Sequence, residues 1–462
     1  MEKEKKGLNI NAKSFLTAII VIFALMLVTY ILSLVIPGGE YTRVDENGII
    51  DQTSYQSVDG GIPFWKWILS PILLLGAEGS ITVIAVIAFL LIIGGIFNAL
   101  DKSGIIKHML GRITVKFGKS RYKLMAIVVL FFMALGSLAG SFEEIVPLVP
   151  IVVTLAISLG WDAITGIGMS VLAVGCGFSA GICNPFTIGV AQELAGLAMF
   201  SGVWLRIVAF VLIYGLLCGA LYLHAKKIEK PVDTDKIVQS FTADKKKDLA
   251  LILFATILGI GIVTTICCGF IPALKSYTMI IVGVMFLIAG IVSTLVSGMG
   301  FKLLCKTFAN GVVSILPAIL MILMASSISY TMKEAHILHP VIRGVIGISE
   351  GMPKWSLIFF IYLIVLVINF FIPSGSAKAV MLIPLIMPIA KTFGLSMQLC
   401  IVAFAFSDGF SDVLYPTSPA LLISLGLAKT SYGKWVKWSW KFQLVNLLLS
   451  LLILLFGFAV GY

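Results

Sequence analysis

The sequence predicts an all-α polytopic membrane protein made of two inverted repeats, each carrying a re-entrant helical hairpin and a broken transmembrane helix. Of the 462 residues, 59% are hydrophobic and 12% charged, about half the charged share of a soluble domain. Several apolar runs reach the ~20 residues that a spanning helix needs. Barrel strands would alternate over about ten residues, and that pattern is absent. A polar-tipped stretch occurs twice, GSFEEIVPLVPIVVTLAISLG from Gly140 and PSGSAKAVMLIPLIMPIAKTFG from Pro373. Each is followed by an interrupted apolar segment, GCGFSAGICNPFTIG (Gly175 to Gly189) and FSDGFSDVLYPTSPA (Phe406 to Ala420). The offset of roughly 230 residues marks an internal repeat. Broken helices in corresponding positions of two halves point to a binding site at mid-membrane.

Taken in order, Met1 to Lys13 carries Lys3, Lys5, Lys6 and Lys13, which places the N-terminus in the cytoplasm. The run Phe15 to Val35 is too long for a signal-peptide core and lacks a small-residue cleavage site, so it reads as a retained anchor. The loop Pro37 to Phe64 sets Glu40, Asp45, Glu46, Asp51 and Asp59 against Arg43 alone, which suits the outer face. Trp65 and Trp67 fit the interface. A span over Ile81 to Leu100 returns inward to a basic loop holding Lys102, Lys107, Arg112, Lys116, Lys119, Arg121 and Lys123.

The runs Leu124 to Leu138 and Ile145 to Leu159, around the tip Ala139 to Glu144, are too short and broken for two ordinary spans, and predict hairpin 1 over about 124–159. Non-helical backbone at this depth is tolerated only where protein or a wet cavity surrounds it. A broken helix over about 163–198, interrupted near Asn184-Pro185, runs outward, and a helix over Val203 to Leu223 comes back. The polar linker His224 to Asp248 holds Lys226, Lys227, Lys230, Lys236 and Lys245 to Lys247. The second half predicts helices over Leu249 to Cys267, Tyr277 to Val296 and Val312 to Ser329, then hairpin 2 over about 356–393 with its tip at Pro373 to Lys378. A second broken helix over about 397–428 and a last helix ending outside at Tyr462 complete the chain. The domain organisation is therefore an anchor and outer loop (1–80), a first repeat (81–224), a cytoplasmic linker (225–248), scaffold helices (249–308) and a second repeat (309–462). Loop charges and the repeat independently give the two repeats opposite topology, the architecture of many secondary carriers.

Glu143 and Glu144 lie at the first tip. A carboxylate at membrane depth is costly and marks a substrate or ion path, unless it pairs with a lysine or caps a half-helix. Two adjacent acids also repel, which suits a proton carrier. Asp408 and Asp412, four apart, share one helix face with Ser407 and Ser411, facing a cavity unless the acids are tied to Lys378 or to a backbone break. Asn184-Pro185 and Tyr415-Pro416-Thr417-Ser418-Pro419 interrupt the broken helices. Proline frees a carbonyl, and freed carbonyls with half-helix ends hold Na⁺ and substrate in such sites, so Na⁺ is expected near Asn184 and Thr417. Ser374, Gly375 and Ser376 supply N–H groups at a helix start, a seat for an anion, with Lys378 beside them or snorkelling to the interface. Gly177, Gly181, Gly375 and Gly409 allow close backbone approach, for packing or for binding.

Other chemistries find little support. The formal charge of +11 sits in short loops, where the positive-inside bias explains it better than nucleic acid does. The seven cysteines have no metal-ligand spacing. His108, His224, His336 and His339 fall in predicted loops or helix ends and read as solvated. HExxH, the P-loop and GxGD are absent, which leaves a metalloprotease or an ATP-driven pump unsupported. Gly177-Phe178-Ser179-Ala180-Gly181 matches GxSxG, but without the strand-turn-helix context of a nucleophile elbow. The chain reads as no enzyme, with no cofactor beyond coupling to Na⁺ or H⁺.

GSFEEIVPLVP followed by NPFTIGVAQELAGL, and PSGSAKAVMLIPLIMP followed by FSDGFSDVLYPTSPAL, resemble the YfcC-type carriers of the C4-dicarboxylate anaerobic carrier (DcuC-like) group, within the ion transporter superfamily. The likeness covers essentially the whole chain. It implies an elevator-type carrier of the cell membrane, a homodimer whose scaffold dimerises and whose hairpins and broken helices move. More distant dicarboxylate/sodium symporters carry Ser-Asn-Thr at both tips, where Na⁺ and a substrate carboxylate bind. The matching positions here are Ser141-Phe142-Glu143 and Ser374-Gly375-Ser376. The first departs from that pattern, because Glu143 and Glu144 repel a second negative group. YfcC-type members are often named basic amino-acid exchangers. The resemblance therefore implies a substrate α-carboxylate at Ser374 to Ser376 and a cationic side chain near Glu143, Glu144 or Asp408, with Ser141, Asn184, Thr417 and Ser418 completing the binding set. Ion coupling is expected at Glu143, Glu144, Asn184, Asp408 and Asp412. The expected function is exchange or ion-coupled transport of an arginine- or ornithine-like amino acid by alternating access. The alternatives are an H⁺- or Na⁺-coupled carrier of C4-dicarboxylates and, from another class, an ion channel.

Overall fold

The chain is seen in a computed structural model that describes residues 12–41, 54–77, 80–117, 120–140, 142–198, 200–230, 244–269, 278–337, 339–341, 343–344, 352–375, 378–379, 382–383, 386–387, 390 and 393–462. Helices dominate it. Five of them, among the described residues, are long and apolar enough to cross a membrane: Arg121–Leu138, Ala163–Ala180, Val203–Ile228, Lys354–Phe371 and Tyr432–Ala459.

The first helix, α1 (Ala12–Val35), runs into a two-stranded hairpin, β1 (Gly39–Tyr41) with β2 (Tyr55–Ser57). Two short helices, α2 (Phe64–Ile68) and α3 (Ser70–Leu73), follow. The expected interfacial tryptophan has a structural partner. Trp67 is buried, stacks on Tyr30 with ring centroids 4.8 Å apart, and donates its indole N–H to the Met26 carbonyl at 3.1 Å, so it fastens α2 onto α1. Next come α4 (Ser80–Lys102) and α5 (Ile105–Phe117). Sequence reading placed a basic loop where α5 stands. A helix forms because its apolar residues can be sheltered: His108 is buried, with Nε2 2.6 Å from Asp248 Oδ1, and Arg112 reaches Oδ2 of the same carboxylate at 2.5 Å.

Hairpin 1 is α6 (Arg121–Ala134) continued by a π turn over Leu135–Ala139, a 3₁₀ turn over Glu143–Leu148, and α7 (Val149–Ser158). Its limbs are unequal. The outgoing limb is continuous enough to span a membrane, contrary to the expectation of two short runs, because the π turn absorbs the Gly136-Ser137 pair without ending the helix. The first broken helix comprises α8 (Ala163–Ile167), a π turn over Gly168–Leu172, α9 (Ala173–Ala180), a break over 181–184, a π turn over Pro185–Gly189, and α10 (Val190–Leu194). Then α11 (Val203–Ile228) runs through 26 residues, about 39 Å at the α-helical rise.

In the second half, α12 (Lys245–Gly269), α13 (Thr278–Val296) and α14 (Phe301–Glu334) precede α15 (Lys354–Phe371), the outgoing limb of hairpin 2. The expected span Val312 to Ser329 is the middle of a single 34-residue helix. The second broken helix is α16 (Met397–Asp412), a break over 413–418 and α17 (Pro419–Leu427), and α18 (Tyr432–Ala459) closes the chain.

Two packing groups emerge. Helix α14 packs against α4 and α1, and α13 lies between α12 and α4. In the other group α9 packs on α6, α11 and α16, while α15 and α18 flank α16. The broken helices form the centre, since every residue of α9 and every residue from Leu399 to Asp412 is buried. Apolar side chains face outward from α11 and α18, with Val211, Leu448 and Leu452 each about three-fifths exposed, as lipid contact requires.

The hairpins enter from opposite ends of α11. At the Ile228 end, the Arg121 guanidinium donates to the Leu159 carbonyl at 3.2 Å and pairs with Glu229 at 2.9 Å, while Lys230 N–H donates to the Gly160 carbonyl at 2.9 Å, which closes the base of hairpin 1. At the Gly202 end, the Tyr462 hydroxyl donates to the Gly202 carbonyl and Gln192 donates to Gln398 at 2.9 Å. The Lys354 ammonium, at the start of hairpin 2, lies against Gly394 at its close, four residues before Gln398.

Candidate functional site

The two breaks are stitched in place from neighbouring helices. Gly181 ends α9 in the left-handed region at φ +48°, a conformation open to glycine at little cost. The next two amides then turn to the π turn of hairpin 1, Ile182 N–H donating to Ser137 Oγ at 2.9 Å and Cys183 N–H to the Ser137 carbonyl at 3.0 Å. Asn184 is the cap of the following helix, its Oδ1 accepting from the N–H groups of Phe186 at 2.9 Å and Thr187 at 3.3 Å. Arg206, fully buried on α11, donates to the carbonyls of Ile182 and Phe200. In the second break the freed carbonyls of Val413 and Leu414 accept from Trp435 Nε1 and the Tyr432 hydroxyl, each at 2.8 Å. Ser418 caps α17. The carbonyls left open where α16 ends are thus taken by side chains of α18.

Around these breaks the structure gathers charge. Asp408 and Lys378 form an ion pair with both side chains fully buried. Of the alternatives open for Lys378, the structure shows the tie to the acids and not the interface: Lys378 sits one turn into the return limb of hairpin 2, its N–H donating to the Ser374 carbonyl at 3.0 Å, and its ammonium pairs with Asp408. Asp412 accepts from Asn369 Nδ2 at 2.9 Å, and the same amide reaches Ser411 and the Asp408 carbonyl. Asp408 and Asp412 therefore do share a face, and Asn369 spans it. Glu143 interacts electrostatically with both aspartates. Among the described residues, the buried Asp408 and Asp412 and the half-buried Glu143 are thus set against one ammonium, that of Lys378, where burial makes charge costly.

Polar atoms without partners mark the same region. Asp408 Oδ2, Asn369 Oδ1, Asn184 Nδ2, Thr187 Oγ1 and Thr417 Oγ1 are buried with no hydrogen-bond partner among the described residues, and buried polar groups are ordinarily satisfied by protein or water. Two of these residues meet at the second tip. A Cβ added to Gly375 would fall against Asp408 Oδ2 and 2.8 Å from the Thr187 methyl, so the tip inserts its bare backbone between the first break and α16. The first tip does likewise, Gly140 lying against Asn184 Oδ1 and Phe186.

Of the sequence-derived candidates, Glu143, Gly375, Asp408 and Asp412 come together in one cluster. Asn184 lies at the first tip, and Thr417 and Ser418 form the second break. Ser374 is exposed at the second tip. Ser141, Ser376 and the Glu144 side chain lie outside the described residues. Gly177 and Gly409 are packing residues, pressed on Met133 and on Gly175 with Ser179. The histidines are not simply solvated, as His108, His224 and His336 pair with Asp248, Asp162 and Glu40. Sequence reading missed Asn369, Thr187 and Arg206. Asn369 and Arg206 each stand as a polar residue inside an apolar run, and that signal could have found them.

A broken-helix pair holding an acid cluster is what comparison with known proteins has to explain. The description C4-dicarboxylate anaerobic carrier matches residues 15–459. The chain belongs to that family. C4-dicarboxylate anaerobic carriers are membrane transporters, and the resemblance of the tip and break motifs is thereby accounted for over nearly the whole length. Among relatives, the Escherichia coli (strain K12) protein YfcC, provisionally named a basic amino acid antiporter, is 28% identical over 378 residues, covering 77% of this chain and 74% of its own. An uncharacterized Haemophilus influenzae protein is 22% identical over 95% of both chains. Among solved structures, the Alcanivorax borkumensis YdaH transporter aligns with 97% of this chain and 99% of its own at 18% identity and a TM-score of 0.47. Neisseria gonorrhoeae MtrF, titled an antimetabolite efflux pump, aligns at 15% identity and a TM-score of 0.46 over 96% and 95%.

Proposed function

We propose that this member of the C4-dicarboxylate anaerobic carrier family is a secondary active transporter of the cell membrane that exchanges basic, arginine- or ornithine-like amino acids by alternating access. The observation that carries the reading is the excess of carboxyls among the described residues, the buried Asp408 and Asp412 with the half-buried Glu143, around Lys378. Such a site lacks positive charge and is completed by a cation. The provisional name of YfcC points the same way. In this reading Glu143, Glu144 and Asp412 face the cationic side chain or a proton. The substrate α-carboxylate lies at Ser374 to Ser376, with Ser141, Thr417 and Ser418 lining the approach. The unpartnered atom of Asn184 is Nδ2, a donor, while its oxygen is held in the helix cap; that favours a substrate carboxylate over Na⁺ at this residue.

Hairpins entering from opposite ends of α11 support an inverted repeat. The grouping of α1, α4 and α12 to α14, which pack chiefly on one another, supports an elevator, in which this group pairs with a second copy while the helices that hold the site move. The second reading, a carrier of C4-dicarboxylates coupled to H⁺ or Na⁺, is favoured by the family description alone.

Counterflow in proteoliposomes tests both. Vesicles are loaded with unlabelled arginine, ornithine or succinate, and uptake of the labelled compound is followed. Arginine uptake driven by internal arginine or ornithine, and lost in Glu143→Gln, is the expected result. Counterflow with succinate alone replaces the proposal with the dicarboxylate reading, and single-channel currents in a bilayer would overturn both.

A further inference from the structure

The position of Lys378 carries an inference that the substrate does not. We propose that the Lys378 ammonium is a tethered cation, filling within the chain the place beside Asp408 that a dissolved alkali cation would take, so that transport needs no Na⁺. The proposal rests on reading this cluster as the transport site, but not on which substrate is carried.

Four observations support it. Lys378 and Asp408 are both fully buried and ion-paired, so this ammonium is neither a solvated charge nor an interfacial anchor. The ammonium arrives from hairpin 2 and the carboxylate from α16, so the pair bridges the two pieces that must part when a hairpin opens. Among the described residues only one carboxylate oxygen is used: Asp408 Oδ2 has no partner there and lies against the bare backbone of Gly375, so the carboxylate has the second oxygen that a coordinated metal cation would also use. The ammonium also interacts electrostatically with Asp412, as a cation shared between neighbouring acids does. A lysine is a compact point charge on a flexible stem and can substitute for a monovalent ion at one carboxylate.

The tether has a thermodynamic consequence. A cation that travels with the substrate lets its gradient drive accumulation. One that cannot leave the protein contributes the same charge in every state and transfers no gradient energy. The Asp408 position is therefore silent with respect to Na⁺.

The test uses the full-length protein. Wild-type counterflow is measured with Na⁺ replaced by N-methylglucamine, and melting of the purified protein is measured in NaCl against N-methylglucamine chloride at equal ionic strength. The expected wild-type result is exchange within about twofold in the two media and no difference in melting. Lys378→Met exposes Asp408 to solution cations, and its melting temperature should rise with Na⁺; Lys378→Arg and the double variant Lys378→Met/Asp408→Asn should show no rise. A tenfold or greater loss of wild-type exchange without Na⁺, or a well-folded Lys378→Met protein indifferent to Na⁺, overturns the proposal. Should Lys378→Met not fold, Lys378→Gln takes its place and the wild-type exchange still decides. Melting contains no organic substrate, so failure of the amino-acid reading shows only in counterflow and leaves the Na⁺ result interpretable.

Discussion

Gly409→Ala tests whether the site depends on the crossing of the two broken helices. At that crossing α16 presents Gly409 to α9. A Cβ at Gly409 would stand 2.6 Å from the Gly175 carbonyl oxygen, 2.6 Å from Ser179 Oγ and 2.7 Å from Ser179 N. Two of the three obstacles are backbone, so no rotamer change clears them. Ordinary contact begins at 3.4 Å and real Cβ atoms essentially never come under 3.0 Å, so the helices must separate by about 0.4–0.8 Å in an interior packed as densely as a crystal. Overpacking of this kind costs about 1–3 kcal/mol. The displacement also moves Asp408 and Asp412 relative to Thr187 and Asn184, which predicts a loss of exchange rate of about tenfold to a hundredfold, since misplacement approaching 1 Å is expensive at a working site. The assays are melting in detergent and counterflow. Gly215→Ala is the control, because a Cβ there meets nothing within 4 Å and alanine is the better helix former. A Gly409→Ala protein that melts and transports like the wild type would refute the argument.

Other outcomes follow from the same geometry. Asp408→Asn strands a buried ammonium and should destabilise by about 3–5 kcal/mol, whereas Lys378→Met/Asp408→Asn should recover most of that loss, as for buried pairs removed together; a double variant less stable than Asp408→Asn, by chemical denaturation, counts against it. Asp412→Asn and Glu143→Gln should each weaken half-saturation for a cationic substrate by about tenfold to a hundredfold, read as a shift in counterflow concentration dependence with folding unchanged; equal affinity in both variants contradicts the cation reading. At the membrane surface, the hydrogen bond from His108 holds the Asp248 carboxyl below the usual carboxylate range; burial works against it and Arg112 adds to it. A depressed folded value means that this contribution is complete above the unfolded value of about 3.9 and is lost as pH falls through the folded one. Melting of Asp248→Asn should therefore fall less than that of the wild type between pH 5 and pH 3, and parallel curves would remove Asp248 from the account.

The breaks and tips were legible because their signals are local. Two prolines in an apolar run, Gly-Ser at a tip and acids four apart each violate what lipid demands of a helix, so Asn184, Asp408 and Asp412 stood out. What was missed depends on long-range partners. The basic stretch holding His108 and Arg112 is α5, and Asp248, which receives both side chains, lies 140 positions from His108 in the chain. For Lys378 the tie to the acids was one reading and the interface another, and only an aspartate on another helix decides between them. The hairpin of Gly39–Tyr41 with Tyr55–Ser57 is held by the carbonyl of His336, which receives the Gly39 N–H at 3.0 Å, and nothing in three-residue strands announces that. Asn369 and Arg206 were discernible in principle, each a single polar residue in an apolar helix, but a polar residue in a run of apolar ones shows neither its direction nor its partner.

The family description and the charge of the site pull in different directions, and the ion pair decides what each reading demands. A dicarboxylate would bring two further negative charges to a cluster where Glu143, Asp408 and Asp412 already outnumber Lys378. At an effective dielectric constant of about 20, two unit charges about 5 Å apart repel by roughly 3 kcal/mol, so a dianion would require protons on the acids, or release of Lys378 from Asp408 to meet it. The second option exchanges one ion pair for another and strands Asp408, which costs what breaking a buried pair costs. A cationic side chain with an α-carboxylate makes neither demand: its positive end meets Glu143 and Asp412, its negative end meets the N–H groups of the second tip, and Lys378 keeps its partner throughout. On the proposed reading, selection against dianions follows from Lys378 being already engaged by Asp408 as well as from the excess of carboxyls around it.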